Sequence, residues 1–367
     1  MKYKVLIFVI CGIFLLGKIH TLREYAEKIC YPTLYYSVKG QTDHDWNDRL
    51  LRGILPLYAY MSENTPPAAE VEDSFTYEMI LALQENDEYT MSEDIETVTQ
   101  ETSPEQSVQN TQVAEVSMDK LRDFNYLLSN YYTVDSTTTI GSDQLNVDDL
   151  LSRNMQIDNN KNGPKILIFH THSQEAFKDS VAGDSNTSIV GMGRYLSELL
   201  NAKGIETLHH DGVYDLINGK LDRSKAYQMA EIGVKEILNQ NPSIEVVIDL
   251  HRDGVPETTH LVTEINGKKT GKIMFFNGLS RTKKNGDIAY LPNPYIQDNL
   301  SFSFQMQLAA EKLYPGLTRR IYLKGYRYSL HMMPKSLLIE AGAQNNTVEE
   351  MKNSMELLAN ILVEVLL

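Results

Sequence analysis

The sequence contains only two cysteines among its 367 residues, Cys11 and Cys30. Cys11 lies in an apolar run near the start of the chain and Cys30 follows that run, so neither belongs to the part with the pattern of a folded domain. A disulfide framework is therefore excluded for that part, and a large hydrophobic core has to stabilise it instead. Any metal site there has to be built from histidine and carboxylate groups, because thiolate ligands are missing.

Basic residues are missing from one long stretch of the chain. No Lys or Arg lies between Arg52 and Lys120, whereas 15 of the 49 acidic residues lie from Glu63 to Asp119. The other 34 acidic residues balance the 34 basic ones, so the formal charge of −15 belongs to this stretch and does not exclude an anionic substrate for the rest. The stretch is also rich in Ser, Thr, Gln and Pro, a composition that buries too little apolar surface to offset chain entropy. We predict an acidic disordered linker over residues 63–118.

The one long apolar run covers residues 5–16 and has lysines on both sides. It is short for a membrane helix, which needs about 20 residues, but no small-residue cleavage site follows it closely. We therefore predict an uncleaved signal anchor at 1–19, with a cleaved signal peptide as the alternative. Lys2 and Lys4 precede the run, which predicts a cytoplasmic N-terminus and an extracytoplasmic remainder. Residues 20–62 are predicted to be a membrane-proximal helical segment.

Strands alternate with helices throughout residues 119–367, which we interpret as one domain. We predict strands at 165–170, 205–210, 244–250, 260–265, 272–277, 319–323 and 336–342, and helices at 188–203, 221–239, 294–313 and 347–367. The strands are continuously apolar rather than alternating, which is typical of a mainly parallel sheet covered on both faces. The predicted fold class is α/β, with a twisted sheet and helices on both faces.

Three predicted strands run directly into polar side chains. The apolar stretches "KILIF", "EVVIDL" and "SLLI" lead into His170-Thr171-His172 with Glu175 after it, into His251-Arg252-Asp253, and into Glu340. Because ligands bind outside the carboxyl ends of strands in an open α/β sheet, we expect these side chains to meet at one edge.

A zinc site explains why these residue types occur together. Catalytic zinc takes three protein ligands and leaves one position for water, and imidazole with carboxylate is the set available here. A second carboxylate can then take a proton from water and return it to a leaving amine. His172 and His251 are the candidate imidazole ligands, with His170 as an alternative, and Glu175 and Glu340 are the candidate carboxylates. Each of these residues could instead have a structural role.

Two further side chains at the second strand end have open roles. Arg252 and Asp253 could bind a substrate carboxylate, orient His251 or form an ordinary salt bridge. His209 and His210 end another strand near the same edge, and His260 and His331 stay open as structural or substrate-side residues.

The segments "PKILIFHTHSQEAF", "VVIDLHRDGV" and "PKSLLIEAGAQNNTVEEM" resemble the stage II sporulation protein P family over roughly residues 120–367. That family is a membrane-anchored branch of the zinc-dependent N-acetylmuramoyl-L-alanine amidases. The resemblance implies a zinc amidase-like fold, His172 and His251 as zinc ligands and Glu340 as the catalytic carboxylate. The helix-borne glutamate ligand of the wider amidase group has no match here, so Glu175 is assigned in its place and His170 stays an alternative.

The resemblance also implies an activity and partners. It implies cleavage of the amide between N-acetylmuramic acid and L-alanine in peptidoglycan, and a further endopeptidase activity on cross-links, during engulfment in sporulation. It implies a lytic transglycosylase (protein D) and a membrane protein (protein M) as partners at the sporulation septum. We expect no nucleic acid among the partners. A degenerate amidase that acts as a non-catalytic wall-binding or scaffold module is the alternative, and a metal-dependent esterase or deacetylase would share the ligand set.

Overall fold

The computed structural model describes residues 117–367 apart from Asn218 and Ser224. The predicted signal anchor, the membrane-proximal segment and all but the last two residues of the predicted linker lie outside the described residues. Among the helices between 117 and 367, none combines the length and the apolar composition that a membrane span requires.

The described residues form a sheet with three long helices on one face and one long helix on the other, together with three short helices. The helices are α1 Met118–Leu121, α2 Phe124–Tyr131, α3 Val147–Ser152, α4 Ile189–Ala202, α5 Ala226–Gln240, α6 Ile296–Leu313 and α7 Val348–Leu366. The strands are β1 Tyr132–Val134, β2 Ile166–Phe169, β3 Thr207–His209, β4 Leu216–Ile217, β5 Lys220–Leu221, β6 Val246–Asp253, β7 Val262–Ile265, β8 Lys268–Gly271, β9 Ile273–Gly278, β10 Arg281–Thr282, β11 Gly286–Asp287, β12 Ile321–Lys324 and β13 Lys335–Ala343.

Seven of these strands form the central sheet, in the order β1-β12-β9-β13-β6-β2-β3. All neighbouring pairs are parallel except β9 with β13, which is antiparallel. The prediction of an α/β fold with a mainly parallel sheet is confirmed. The carboxyl ends of β13, β6, β2 and β3 lie at one edge, and those of β9, β12 and β1 at the opposite edge.

Alternate residues of the strands pack on opposite faces of the sheet, as the two-residue period of a strand requires. Ile168, Ile248 and Leu250 belong to the main core, which α4, α6 and α7 complete. Phe169 and Val247 pack against α5 on the other face. Burial of each such side chain contributes about 1.5–3 kcal/mol. The same alternation puts Asp249 and His251 on the α5 face of the sheet.

Some element boundaries differ from the prediction in ways that matter for the site. The strand β6 continues to Asp253, so His251 lies within a strand rather than beyond its end, whereas β13 contains Glu340 as predicted. The predicted helix 221–239 begins only at Ala226, because Leu216–Ile217 pairs with Lys220–Leu221 as a small hairpin. That hairpin has no long periodic pattern from which the sequence could have predicted it.

Candidate metal site

His172, Glu175 and His251 converge at the edge formed by the carboxyl ends of β2 and β6. One ligand atom from each lies within 4.8 Å of the others, and all three residues are buried. The carboxylate of Glu175 lies between the two rings, with its Oε1 3.6 Å from His172 Nδ1 and its Oε2 3.8 Å from His251 Nδ1. The rings themselves are 5.0 Å apart and nearly perpendicular. The structure thus brings together the three ligands that the sequence predicts.

This donor set fits a divalent cation. Donors held about 2.0–2.2 Å from a tetrahedral zinc ion lie about 3.3–3.6 Å from one another, close to the two separations around Glu175. Burial of the carboxylates Glu175 and Asp249 calls for compensating positive charge, of which the Arg223 guanidinium, 3.9 Å from Glu175 Oε1, supplies a part. The residues present therefore fit a bound cation with nitrogen and oxygen ligands.

The turn between the first two ligands is held by buried polar contacts. Asp215 is fully buried and accepts hydrogen bonds from Ser173 Oγ at 2.7 Å and from the Gln174 amide at 3.1 Å. Beyond the turn, the backbone N–H of Arg252 donates to Glu175 Oε2 at 2.8 Å. These contacts determine where the Glu175 carboxylate lies relative to β6.

Asp249 contacts His251 on the side of the ring that faces away from Glu175, and the sequence reasoning missed this residue. Its Oδ1 lies 2.7 Å from His251 Nε2 and accepts the Thr171 backbone N–H at 2.9 Å, and its Oδ2 accepts the hydroxyls of Thr171 at 2.6 Å and Ser329 at 3.0 Å. The available signal was its position two residues before His251 in an apolar strand, since residues i and i+2 share a face of the sheet.

The charges around His251 favour a positive charge at this position. Burial alone would keep the ring neutral, but the carboxylates of Asp249 and Glu175 outweigh it and raise the pKa of His251 well above its ordinary value. For Glu175 burial is likewise outweighed, and the nearby His172 and His251 rings hold the pKa of its carboxyl well below the ordinary value. Either a proton on the ring or a bound cation can supply the positive charge that these carboxylates favour.

An aromatic wall closes the α5 side of the cluster. The Tyr227 ring stacks on the His251 ring with centroids 6.4 Å apart and meets the His172 ring edge to face at 5.5 Å. Behind it, Tyr328 contacts Tyr227 at 5.4 Å and has a positive φ of 50°, which is rare for a bulky side chain. This wall keeps the His172 and His251 rings in a low-dielectric environment.

Glu340 lies beside the cluster on the neighbouring strand, in register with His251. Its Oε2 is buried and has no hydrogen-bond partner among the described residues. Burial and the nearby carboxylate of Asp253 raise the pKa of Glu340 to about 8, against the opposing effect of His251. A cation held by the cluster would lower that pKa, as any nearby positive charge does. Glu340 is therefore a carboxyl group available for proton transfer rather than for an internal salt bridge.

Arg252 and Asp253, for which substrate binding, orientation of His251 and a salt bridge were all left open, make contacts within the protein. The Arg252 side chain donates to the carbonyl oxygens of Ala176 and Asp253, each at 3.1 Å. Asp253 pairs with Arg319 at 2.5 Å and accepts the Gly254 N–H at 2.8 Å. These contacts hold the Glu175 loop against the end of β6. A role of the two residues in substrate binding stays a prediction.

His170, the alternative ligand, lies away from the cluster. Its Nδ1 is 2.7 Å from the Leu250 carbonyl oxygen, and its Nε2 is 3.0 Å from His209 Nε2. It also lies against Gly193 of α4, on the sheet face opposite to α5. Burial lowers the pKa of His170 to about 4, which keeps the ring neutral. The cluster that could hold a metal among the described residues contains His172, Glu175 and His251, without His170.

The fold and this cluster define an α/β protein with a candidate divalent-metal site at the carboxyl ends of strands β2 and β6. The stage II sporulation protein P family model matches residues 48–363, so the chain belongs to that family. Stage II sporulation protein P of Bacillus subtilis (strain 168) is 24% identical over 215 residues, which cover 54% of this chain and 50% of that protein. The chain thus spans about half the length of this curated relative.

Two solved structures resemble part of the chain. The first is the CwlD amidase from Clostridioides difficile in complex with the GerS lipoprotein, with 14% identity, a TM-score of 0.33, and coverage of 55% of this chain and 99% of that one. The second is the N-acetylmuramyl-L-alanine amidase Ami1 from Mycobacterium smegmatis, with 13% identity, a TM-score of 0.32, and coverage of 57% and 95%.

Proposed function

We propose that this chain is a zinc-dependent peptidoglycan hydrolase that cleaves the amide between N-acetylmuramic acid and L-alanine. The observation that carries the proposal is the buried cluster of His172, Glu175 and His251 with the unpartnered carboxyl group of Glu340 beside it. Membership of the stage II sporulation protein P family supports both the substrate class and a role in sporulation.

The ligand types favour zinc over the harder cations. Two imidazole nitrogens and one carboxylate are a typical catalytic zinc set, whereas magnesium and calcium prefer sites made of oxygen ligands only. His172, Glu175 and His251 would hold the ion. When bound, it would supply Lewis acidity, polarising the scissile carbonyl and easing the ionisation of water.

Glu340 carries out the proton transfers in this proposal. As a carboxylate it takes a proton from the attacking water, and as a carboxylic acid it gives that proton to the departing amine of L-alanine. Such a positioned acid–base group contributes about 10²–10⁴-fold to a rate. Tyr227 and the buried surroundings of the rings exclude bulk water from this side of the site.

The test is a digest of purified peptidoglycan with the full chain, followed by mass spectrometry of the released muropeptides. We expect free L-alanine amino termini, loss of release after treatment with a metal chelator, and recovery on addition of zinc. If the released products were cut at another bond, the proposed cleavage site would be wrong. A protein that holds no zinc and releases nothing would favour the non-catalytic scaffold instead.

The cellular setting is proposed on the basis of family membership. It comprises an N-terminal membrane anchor with the domain outside the cytoplasm, action during engulfment, and association with the transglycosylase protein D and the membrane protein M. The further endopeptidase activity is part of the same proposal, and the same mass spectra test it because cut cross-links change the muropeptide masses. Fractionation of sporulating cells with protease protection of intact protoplasts tests the location.

A further inference from the structure

We propose that Asp249 is a positioning residue that orients the His251 imidazole and fixes its tautomer for metal binding, with Thr171 and Ser329 holding Asp249 for that task. The inference rests on the proposed metal site and adds to it the part of the chain that sets the geometry of one ligand.

The tautomer follows from the contact between Asp249 and His251. Asp249 Oδ1 lies 2.7 Å from His251 Nε2, and an ionised carboxylate can only accept hydrogen bonds. The hydrogen must therefore be on Nε2, which in a neutral ring leaves the lone pair on Nδ1. Nδ1 is the atom that faces the cluster, 3.8 Å from Glu175 Oε2. Metal-binding histidines commonly donate their second N–H to a carboxylate in this way.

Asp249 is itself unable to turn away from this contact. It is 1% exposed, and three donors besides His251 bind its two oxygens: the backbone N–H and the hydroxyl of Thr171, and the hydroxyl of Ser329. Ser329 comes from the loop between β12 and β13, whereas Thr171 follows β2. Two separate parts of the chain therefore hold one carboxylate in place.

The ring is restrained in a second direction by Tyr227. The two rings are nearly parallel, with an angle of 10° between their planes. The hydrogen bond from Nε2 fixes the direction of the ring within its plane, and the stacking fixes the plane itself. Nδ1 is thereby aimed at the cluster without the help of a bound ion.

The carboxylate also couples the two imidazole ligands to each other. Thr171 directly precedes His172, and its backbone N–H and hydroxyl both bind Asp249, which is two residues before His251 on β6. Asp249 therefore sets the spacing between the turn that carries His172 and the strand that carries His251. Removing its carboxylate loosens both ligands at once.

The experiment compares the zinc affinity of variants of the full chain, measured by competition with a chromophoric chelator. Asp249→Ala is expected to weaken zinc binding about 10–100-fold, the usual cost of losing such an outer partner. Ser329→Ala and Thr171→Val, which each remove one hydroxyl donor, are expected to weaken it by about 2–5-fold. Asp249→Asn can keep an oxygen toward Thr171 N–H and His251, so we expect an affinity between those of the wild type and Asp249→Ala.

Val247→Ala is the matched control. Val247 lies two residues before Asp249 on the same face of β6, is 1% exposed and packs in the cluster around α5. Its truncation leaves a cavity in the same strand without touching either ring. We expect reduced stability and unchanged zinc affinity, which separates loose packing from lost orientation.

A second readout does not depend on zinc or on activity. Nitrogen-15 NMR of the histidine rings in zinc-free protein, at a pH where His251 is neutral, is expected to show the Nε2–H form in the wild type and in Asp249→Asn. Asp249→Ala is expected to show a mixture of both tautomers. The inference would be overturned if Asp249→Ala showed the same His251 tautomer and the same zinc affinity as Val247→Ala.

Two further outcomes are decisive. If Asp249→Ala does not fold, the double variant Thr171→Val, Ser329→Ala decides, and unchanged zinc affinity in it overturns the inference. If His251→Ala binds zinc as tightly as the wild type, the proposed metal site itself is wrong, and that result is distinct from a failure of Asp249 alone.

Discussion

Glu340 and His251 lie side by side as register partners of the adjacent parallel strands β13 and β6. The proposed proton-transfer group and one proposed metal ligand are thus placed by the hydrogen bonds of a sheet rather than by a loop. Sites on regular elements hold their side chains more accurately than sites on loops. Because Glu340 is not one of the clustered residues, its effect on activity and the effect of the proposed ligands on metal binding can be tested by separate mutations.

Replacing the Glu340 carboxyl group should remove activity without removing metal. Glu340→Gln keeps the shape of the side chain but cannot take a proton, so we expect muropeptide release to fall by at least about 100-fold. Zinc content, measured by mass spectrometry of the purified protein, should equal that of the wild type. Release at the wild-type rate from this variant would rule out the proposed role of Glu340.

Removing a proposed metal ligand should instead lower the affinity for zinc itself. His172→Ala, Glu175→Ala and His251→Ala are each expected to lower zinc affinity by at least about 100-fold, more than the loss of an outer partner does. His170→Ala is the control, because His170 lies on the other face of the sheet and binds Leu250 and His209 instead. Loss of zinc from the His170 variant, with retention in the Glu175 variant, would reverse the ligand assignment.

A salt-bridge cluster between α5 and the loop after β12 should make stability depend on acidic pH. The contact with His331 Nε2 at 3.1 Å, then the hydrogen bond from Lys235 and the charge of Arg327, lower the pKa of Glu231 to about 2, against the effect of burial. A lowered folded-state pKa stabilises the protein above the ordinary glutamate value of about 4.3, and this stabilisation is lost as the pH falls toward 2.

Glu231→Gln is therefore expected to lower the free energy of unfolding by about 1 kcal/mol at pH 7. The difference from the wild type should shrink as the pH falls below about 4, and urea titrations at several pH values measure it. Glu206→Gln, at an exposed position, is the control and should leave the free energy of unfolding unchanged at every pH. A difference that grows on acidification would contradict the assigned direction.

Gly193 should tolerate no side chain, because α4 approaches the His170 ring closely there. A Cβ at Gly193 would lie 2.4 Å from His170 Nε2 and 2.9 Å from His209 Nε2. Since both rings are held by hydrogen bonds, Gly193→Ala is expected to cost about 1–3 kcal/mol of stability. Gly254→Ala, where a Cβ meets nothing within 4 Å, serves as the comparison in the same urea titration. Equal midpoints for the two variants would show that the His170 pair yields easily.

The parts of the fold that sequence could predict are those with strong local patterns. The apolar runs before His172, His251 and Glu340 predicted three strands, and those strands are neighbours in the sheet. The antiparallel pairing of β9 with β13 could not be predicted in the same way. It depends on which strands become neighbours in space, and the apolar runs carry no direction.

The candidate site was predictable in its ligands but less so in its support. In the sequence Asp249 is one polar residue inside an apolar strand. Its contact with His251 and its hydrogen bonds from Thr171 and Ser329 are visible only in the structure, because these residues come from distant parts of the chain. His170 was predicted only as an alternative to His172, and the structure separates the two by the face of the sheet on which each lies. Extending the two-residue period of β2 beyond Phe169 puts His170 on the α4 face but would put His172 there too, so the turn that carries His172 to the other side could not be predicted from that period.

The reversal of direction between β9 and β13 has a consequence for how the site can vary. Since β6 ends and β9 begins at the same edge of the sheet, residues 254–272 join them without crossing from one edge to the other. Within that segment β7 and β8 form a hairpin that packs against α7, and the segment carries none of the clustered residues. Insertions or deletions at the hairpin turn would leave the strand register and the clustered residues in place, so this connection can change in length at little cost to folding.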